Sequence, residues 1–212
     1  FIYGGGDPPL THPPRTGLLG ADYAIDHDRY RFEHIYSGES WNPELRAPLT
    51  QPGVNVAVGD YVIAVNGIDV KATEDIYRYF EATANKTVVL RVAKDPSGTN
   101  ARDVNVVPVA SEGALRNFAW IEDNRRTVDR LSGGKLAYIY LPNTGGGGYT
   151  YFTRYYFAQT NKQGAVLDER FNGGGSIADY MIEVMHRQPL FREMTRDATD
   201  FTSPVGAIYG PK

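Results

Sequence analysis

The residues able to do chemistry in this chain are seven serines, four histidines, an Asp26-His27-Asp28 tripeptide and two glycine runs, Gly145 to Gly148 and Gly173 to Gly175. A serine attacks a carbonyl only when a nearby base takes its proton and donors await the oxyanion. Ser37, Ser40, Ser97, Ser111, Ser132, Ser176 and Ser203 all fall in turn or cap contexts, and His12, His27, His34 and His186 have no serine at a recognisable elbow. Ser176, directly after the glycines, reads as a helix-start residue. His12 precedes two prolines, His34 sits on the exposed side of a strand, and His186 ends a helix where a cation suits the dipole. Asp26-His27-Asp28 has the ligand types of a zinc or manganese site, but neighbouring residues of a hairpin tip diverge and aspartate is an ordinary turn former. No metal and no cofactor are expected. Tyr149, Tyr151, Tyr155 and Tyr156 crowd one segment as a packing face, since no basic stripe accompanies them to hold a nucleic acid. Arg125 and Arg126, with Glu122 and Asp129, read as a salt-bridged solvated face.

These residues need a scaffold, and composition bounds it. With 22 Lys+Arg against 25 Asp+Glu, the net charge of −3 excludes a basic nucleic-acid binder. The 212 residues, 42% of them hydrophobic, suffice for one large domain or two small ones, and two are expected. The absence of cysteine excludes disulfides, thiolate metal sites and cysteine nucleophiles, and leaves the compartment undetermined. The longest apolar runs are strand-length, so no membrane span is expected. The sequence opens on Phe1 without a leader pattern, and the expectation is a fragment.

The lead-in, residues 1–16, is rich in glycine and proline and reads as a connector. Alternation predicts a hairpin from Ala21 to Ile25 and Tyr30 to Tyr36, and the apolar run Tyr61 to Val65, closed by the Asn66-Gly67 turn, reads as a strand. Ile76, Tyr79, Phe80 and Thr83 at i, i+3, i+4, i+7 predict an amphipathic helix over 73–84, capped by Thr73. Strands at 88–92 and 104–109 complete a first domain, 17–111. Over 112–212 the reading is helix (115–131), strand (136–141), helix (149–159), strand (165–168), helix after the glycines: an α/β sheet unit.

Gly59-Asp60-Tyr61-Val62-Ile63-Ala64-Val65-Asn66-Gly67, followed by helix and two strands, resembles a PDZ domain in the permuted order of bacterial proteases. Gly17-Leu18-Leu19-Gly20 stands where that family carries its carboxylate-binding loop. The resemblance implies a PDZ-like β-barrel with a helix, whose groove would bind a peptide through Gly17, Leu18, Leu19, Gly20, Ala21, Tyr23, Ile76 and Phe80. The second unit resembles the core of tail-specific and tricorn-type serine peptidases, on Trp120 to Val128, Gly134 to Pro142, Ala165 to Arg170 and Phe171 to Gly175. The similarity covers nearly all of residues 17–212. It implies that a glycine-turn N–H, of Gly174 or Gly175, forms half of an oxyanion hole; only glycine lets the main chain approach an oxyanion closely beside a helix start.

The family's nucleophilic serine follows the strand after the glycine-turn helix, and its histidine base precedes the PDZ insertion. Both are therefore expected outside residues 1–212, and the chain alone is expected to be inactive. An acidic residue selecting basic side chains would stand near Glu193 or Asp197. Three readings compete: part of a serine peptidase acting on peptide or unfolded polypeptide, a non-catalytic module for peptide C-termini, and a unit for homo-oligomer contacts.

Overall fold

A computed structural model describes residues 15–39, 41–197 and 199–212. Most of the lead-in, with His12, lies outside the described residues, as does Ser40. Compactness divides the chain between Ala119 and Trp120.

The first unit is an antiparallel sheet. Its strands are β1 (Ala21–Asp26), β2 (Arg29–Ile35), β3 (Tyr61–Val65), β4 (Ile68–Asp69), β5 (Val88–Ala93) and β6 (Arg102–Val106), in the order β1-β2-β3-β5-β6 with β4 on β3. Alternation sorts the side chains: Val88, Leu90 and Val92 of β5 enter the core, while Arg91 points out to a bidentate pair with Asp103. Both tight turns use left-handed backbone, His27 and Asp28 between β1 and β2, Asn66 and Gly67 between β3 and β4. Leu19, Ala21, Phe32, Val62, Ile76 and Phe80 meet in one core. Asp60 is buried before β3 and is held by Lys94 Nζ at 2.5 Å and the Ala57 N–H at 3.2 Å.

Two expectations change. The sheet is not a closed barrel; among the described residues an isolated antiparallel bridge between Leu18 and Val109 joins its ends. The predicted helix over 73–84 is instead a 3-10 helix, Ile76–Phe80, capped by Asp75 rather than Thr73: the Asp75 carboxylate accepts the Tyr77 N–H at 3.0 Å. The turn bonds run from Arg78 N–H to the Asp75 carbonyl and from Glu81 N–H to Arg78, and left-handed Ala82 stops propagation. The apolar spacing was real, since Ile76 and Phe80 are both buried, but one short turn satisfies it.

Helix α1 (Gly113–Leu131) contains the division between the units. Beyond it come β7 (Leu136–Tyr140), α2 (Gly146–Phe157), β8 (Gly164–Asp168), α3 (Ala178–Met185) and an exposed hairpin, β9 (Phe191–Glu193) with β10 (Phe201–Ser203), that the sequence did not suggest. β7 and β8 are parallel, with Leu136 opposite Gly164 and Tyr140 opposite Asp168, so α2 is the crossover. Ile121, Ile139, Phe152, Tyr156, Met181, Val184 and Ile208 pack into the second core. Helix α2 begins three residues earlier than expected because the Asn143 carboxamide accepts the N–H groups of Gly145 and Gly148, at 2.9 and 2.8 Å. A Cβ on Gly148 would lie 1.7 Å from the Asn143 carbonyl oxygen. Among the described residues no helix is long and apolar enough to cross a membrane.

Candidate functional site

The carboxyl ends of β7 and β8 carry two loops that interlock. The Leu141 N–H donates to the Asp168 carbonyl at 2.9 Å, the Gly173 N–H to Pro142 at 2.9 Å, the Thr144 N–H to Gly174 at 2.9 Å and the Ile177 N–H to Thr144 at 2.7 Å. Asn172 closes the turn by accepting the Gly174 N–H at 2.7 Å and donating to the Leu141 carbonyl at 3.2 Å. Gly173 and Gly174 thus have their N–H groups engaged, while that of Gly175 has no partner among the described residues. Gly174 and Gly175 lie at φ 78° and 146°, and a Cβ on Gly175 would meet the Thr144 carbonyl carbon at 2.3 Å and the Gly145 nitrogen at 2.4 Å. Ligands of open α/β sheets bind at the carboxyl ends of parallel strands, which is where this turn stands.

Below the turn lies a charge cluster. The Arg170 guanidinium donates from Nε to both oxygens of buried Asp168, at 2.9 and 3.0 Å, and from Nη2 to Oδ2 at 2.5 Å; the Tyr138 hydroxyl donates to Oδ2 at 2.6 Å. Arg170 also stacks over Trp120, 4.8 Å from the ring centre, and left-handed Phe171 follows it into solvent. Arg170, and with it the Tyr138 hydroxyl, hold the Asp168 carboxyl down to about 2 although burial pulls it upward. A carboxyl depressed on folding stabilises the protein above its unfolded value, and that stability is lost as pH falls through the folded value. Between pH 5 and pH 2 the wild type should therefore lose about 1 kcal/mol more stability than Asp168→Asn, a figure discounted for solvent at the rim of the site. Urea unfolding at the two pH values measures this.

In the first unit, Leu19, Ala21, Ile76 and Phe80 are core residues, whereas Tyr23 meets Tyr77 edge-to-face at 6.3 Å and Tyr77 is exposed. In the Gly17 to Gly20 loop, Gly17 donates to the Phe80 carbonyl and Leu18 to Val109, both at 2.8 Å, and Gly20 donates to Glu112 Oε2 at 2.9 Å. Arg116 clamps Glu112 Oε1 from Nε and Nη2, at 2.8 and 2.6 Å, and reaches Asp22 Oδ1 at 2.7 Å and the Tyr36 hydroxyl at 2.8 Å. Burial raises the Asp22 carboxyl, yet Tyr36 and Arg116 bring it below its ordinary value. Sequence reasoning missed Tyr77, Glu112 and Arg116; the i, i+4 spacing of Glu112 and Arg116 was the available signal.

Of the remaining candidates, His34 meets Tyr36 edge-on at 4.5 Å, His186 is the C-cap of α3, and Ser176 precedes the Ile177 N-cap. Asp26 is engaged by the Tyr61 hydroxyl at 2.5 Å and by His27 at 2.8 Å. Arg125 pairs with Glu122 and Arg126 with Asp123, while Asp129 binds Lys162. Glu193 and Asp197 are exposed in and after β9.

Residues 17–111 match the Tricorn protease PDZ domain family. The chain is 33% identical over 93% of its length to "Tricorn protease homolog 1" of Streptomyces coelicolor, and 27% identical over 93% to "Tricorn protease" of Thermoplasma volcanium. It spans 18% and 19% of these two relatives. A crystal structure of the tricorn protease superposes with a TM-score of 0.81 at 27% identity, over 92% of this chain and 19% of that one. Residues 17–111 thus match the tricorn protease PDZ domain, within a chain that is similar almost throughout to part of those proteases.

Proposed function

We propose that this chain is the PDZ domain (17–111) and part of the catalytic core (112–212) of a serine endopeptidase. In this reading the first unit holds peptide or unfolded polypeptide and the glycine turn supplies half of the oxyanion hole. The observation that carries it is the unengaged N–H of Gly175, fixed at the carboxyl ends of two parallel strands by interlocked loops. A donor held rigidly in place needs no reorganisation when charge develops on a carbonyl oxygen, and this is the source of its catalytic effect. Gly174 is the second choice, because using its N–H would require displacing Asn172. The names of the relatives support the same reading.

Preorganised donors do nothing before a nucleophile attacks, so residues 1–212 alone are expected to be inactive. The test is hydrolysis of fluorogenic peptides by this chain and by the full-length protein. Turnover by the full-length protein only is expected. Inhibitor-sensitive turnover by residues 1–212 would place the nucleophile inside them, and no turnover by either protein would leave a binding module. Self-association is a second reading, favoured by the exposed Leu190, Phe191 and Met194 at the β9–β10 hairpin; sedimentation should then show a species larger than the monomer.

A further inference from the structure

We propose that the Gly17 to Gly20 loop is closed to peptide C-termini because Glu112 and Arg116 already make the two contacts that a C-terminal residue would make. The edge of β1 would then take internal, extended polypeptide segments. The proposal rests on the peptide-binding reading of the first unit.

A C-terminal residue laid beside a strand needs a backbone N–H for its carboxylate and a strand carbonyl for its own N–H. Here the Gly20 N–H holds the Glu112 carboxylate at 2.9 Å, and the Ala21 carbonyl, the first of β1, accepts from Arg116 Nη2 at 3.3 Å. The internal ligand is firmly built. Glu112 is buried, its second oxygen sits in the fork of Arg116, and Arg116 is tied in turn to Asp22 and Tyr36. Buried Leu115, on the next turn of chain, packs so closely that a Cβ on Gly20 would meet its Cδ1 at 3.1 Å. A tethered carboxylate competes at an effective concentration of about millimolar or above, which a weakly binding free peptide does not match.

What remains of the strand is open. β1 is the outer strand of the sheet, with β2 on one side only, and Ile25 and Tyr77 are exposed beside it. An extended segment can pair there and offer side chains to Tyr77 without presenting a terminus.

The test uses the ¹⁵N-labelled 212-residue chain, with acetate as the carboxylate probe and a hexapeptide of alternating valine and threonine as free acid and as amide. In the wild type the Gly20 amide resonance should not move with acetate, and the two peptides should bind equally. In Glu112→Ala, acetate should shift the Gly20 resonance and the free acid should bind roughly tenfold more tightly than the amide. Glu112→Gln, which keeps the side-chain volume but not the charge matched to Arg116, is the second variant and should respond in the same direction. A wild-type Gly20 resonance that moves with acetate, a wild-type preference for the free acid, or no Gly20 response in either variant overturns the proposal. If neither peptide binds any of the proteins, the peptide-binding reading fails and the claim about ligand class falls with it. The acetate titration still decides whether Glu112 fills the loop.

Discussion

Gly175→Ala is expected to destabilise the second unit by about 3 kcal/mol, because the added methyl group overlaps backbone atoms that have nowhere to move. Its Cβ would lie 2.3 to 2.4 Å from the carbonyl of Thr144 and the nitrogen of Gly145, and those atoms are pinned by the Thr144–Gly174 and Ile177–Thr144 hydrogen bonds. In the full-length protein the two loops should part, and kcat should fall by about 10²–10³, the loss typical of one oxyanion donor. Gly174→Ala provides the contrast. Nothing lies within 4 Å of its Cβ, so only the left-handed backbone at φ 78° resists the change, at about 1 kcal/mol. Urea midpoints of the two variants should differ in that order. Equal midpoints would mean that the loops are not locked as described.

The other large effect is expected at Tyr156. Its ring is fully buried, stacks on Phe152 with centres 4.8 Å apart and meets Phe157 edge-on at 5.4 Å, while its hydroxyl accepts the Ile208 N–H at 3.0 Å. Tyr156→Ala removes both the packing and the acceptor and should cost about 4 kcal/mol, much of the stability available to a small unit. Tyr156→Phe keeps the ring and leaves one buried N–H without its acceptor, a loss of about 2 kcal/mol. Thermal unfolding of both variants separates the packing contribution from the hydrogen bond. A Tyr156→Phe protein as unstable as Tyr156→Ala would show that packing of this ring matters little.

What could be read in the sequence was local, and what could not was tertiary. Period-two alternation located β1 and β2, the apolar runs at 61–65 and 87–90 located β3 and β5, and Asn66-Gly67 marked its turn because few residues accept left-handed backbone. The stripe Ile76, Tyr79, Phe80 was misread as a longer helix: spacing reports which side chains are buried, not how many turns the backbone makes before Ala82 reverses it. Asn143 reset the start of α2 through a side chain bonding two and five residues on, a contact invisible to periodicity. The glycine turn was found through its motif, yet which of its N–H groups stays unengaged depends on Pro142 and Asn172, and only the folded loops bring those together. Glu112 was passed over as a domain junction because its partner, Gly20, is 92 residues away.

The position of the oxyanion donor can be observed directly. A crystal structure of the full-length protein with a peptide aldehyde bound covalently at its nucleophile would show where the tetrahedral oxygen is held. We predict that oxygen about 2.7–3.1 Å from the Gly175 nitrogen, the distance a donor needs to act on developing charge. An oxygen held by other donors, with the Gly175 N–H facing away from it, would contradict the role assigned to this turn.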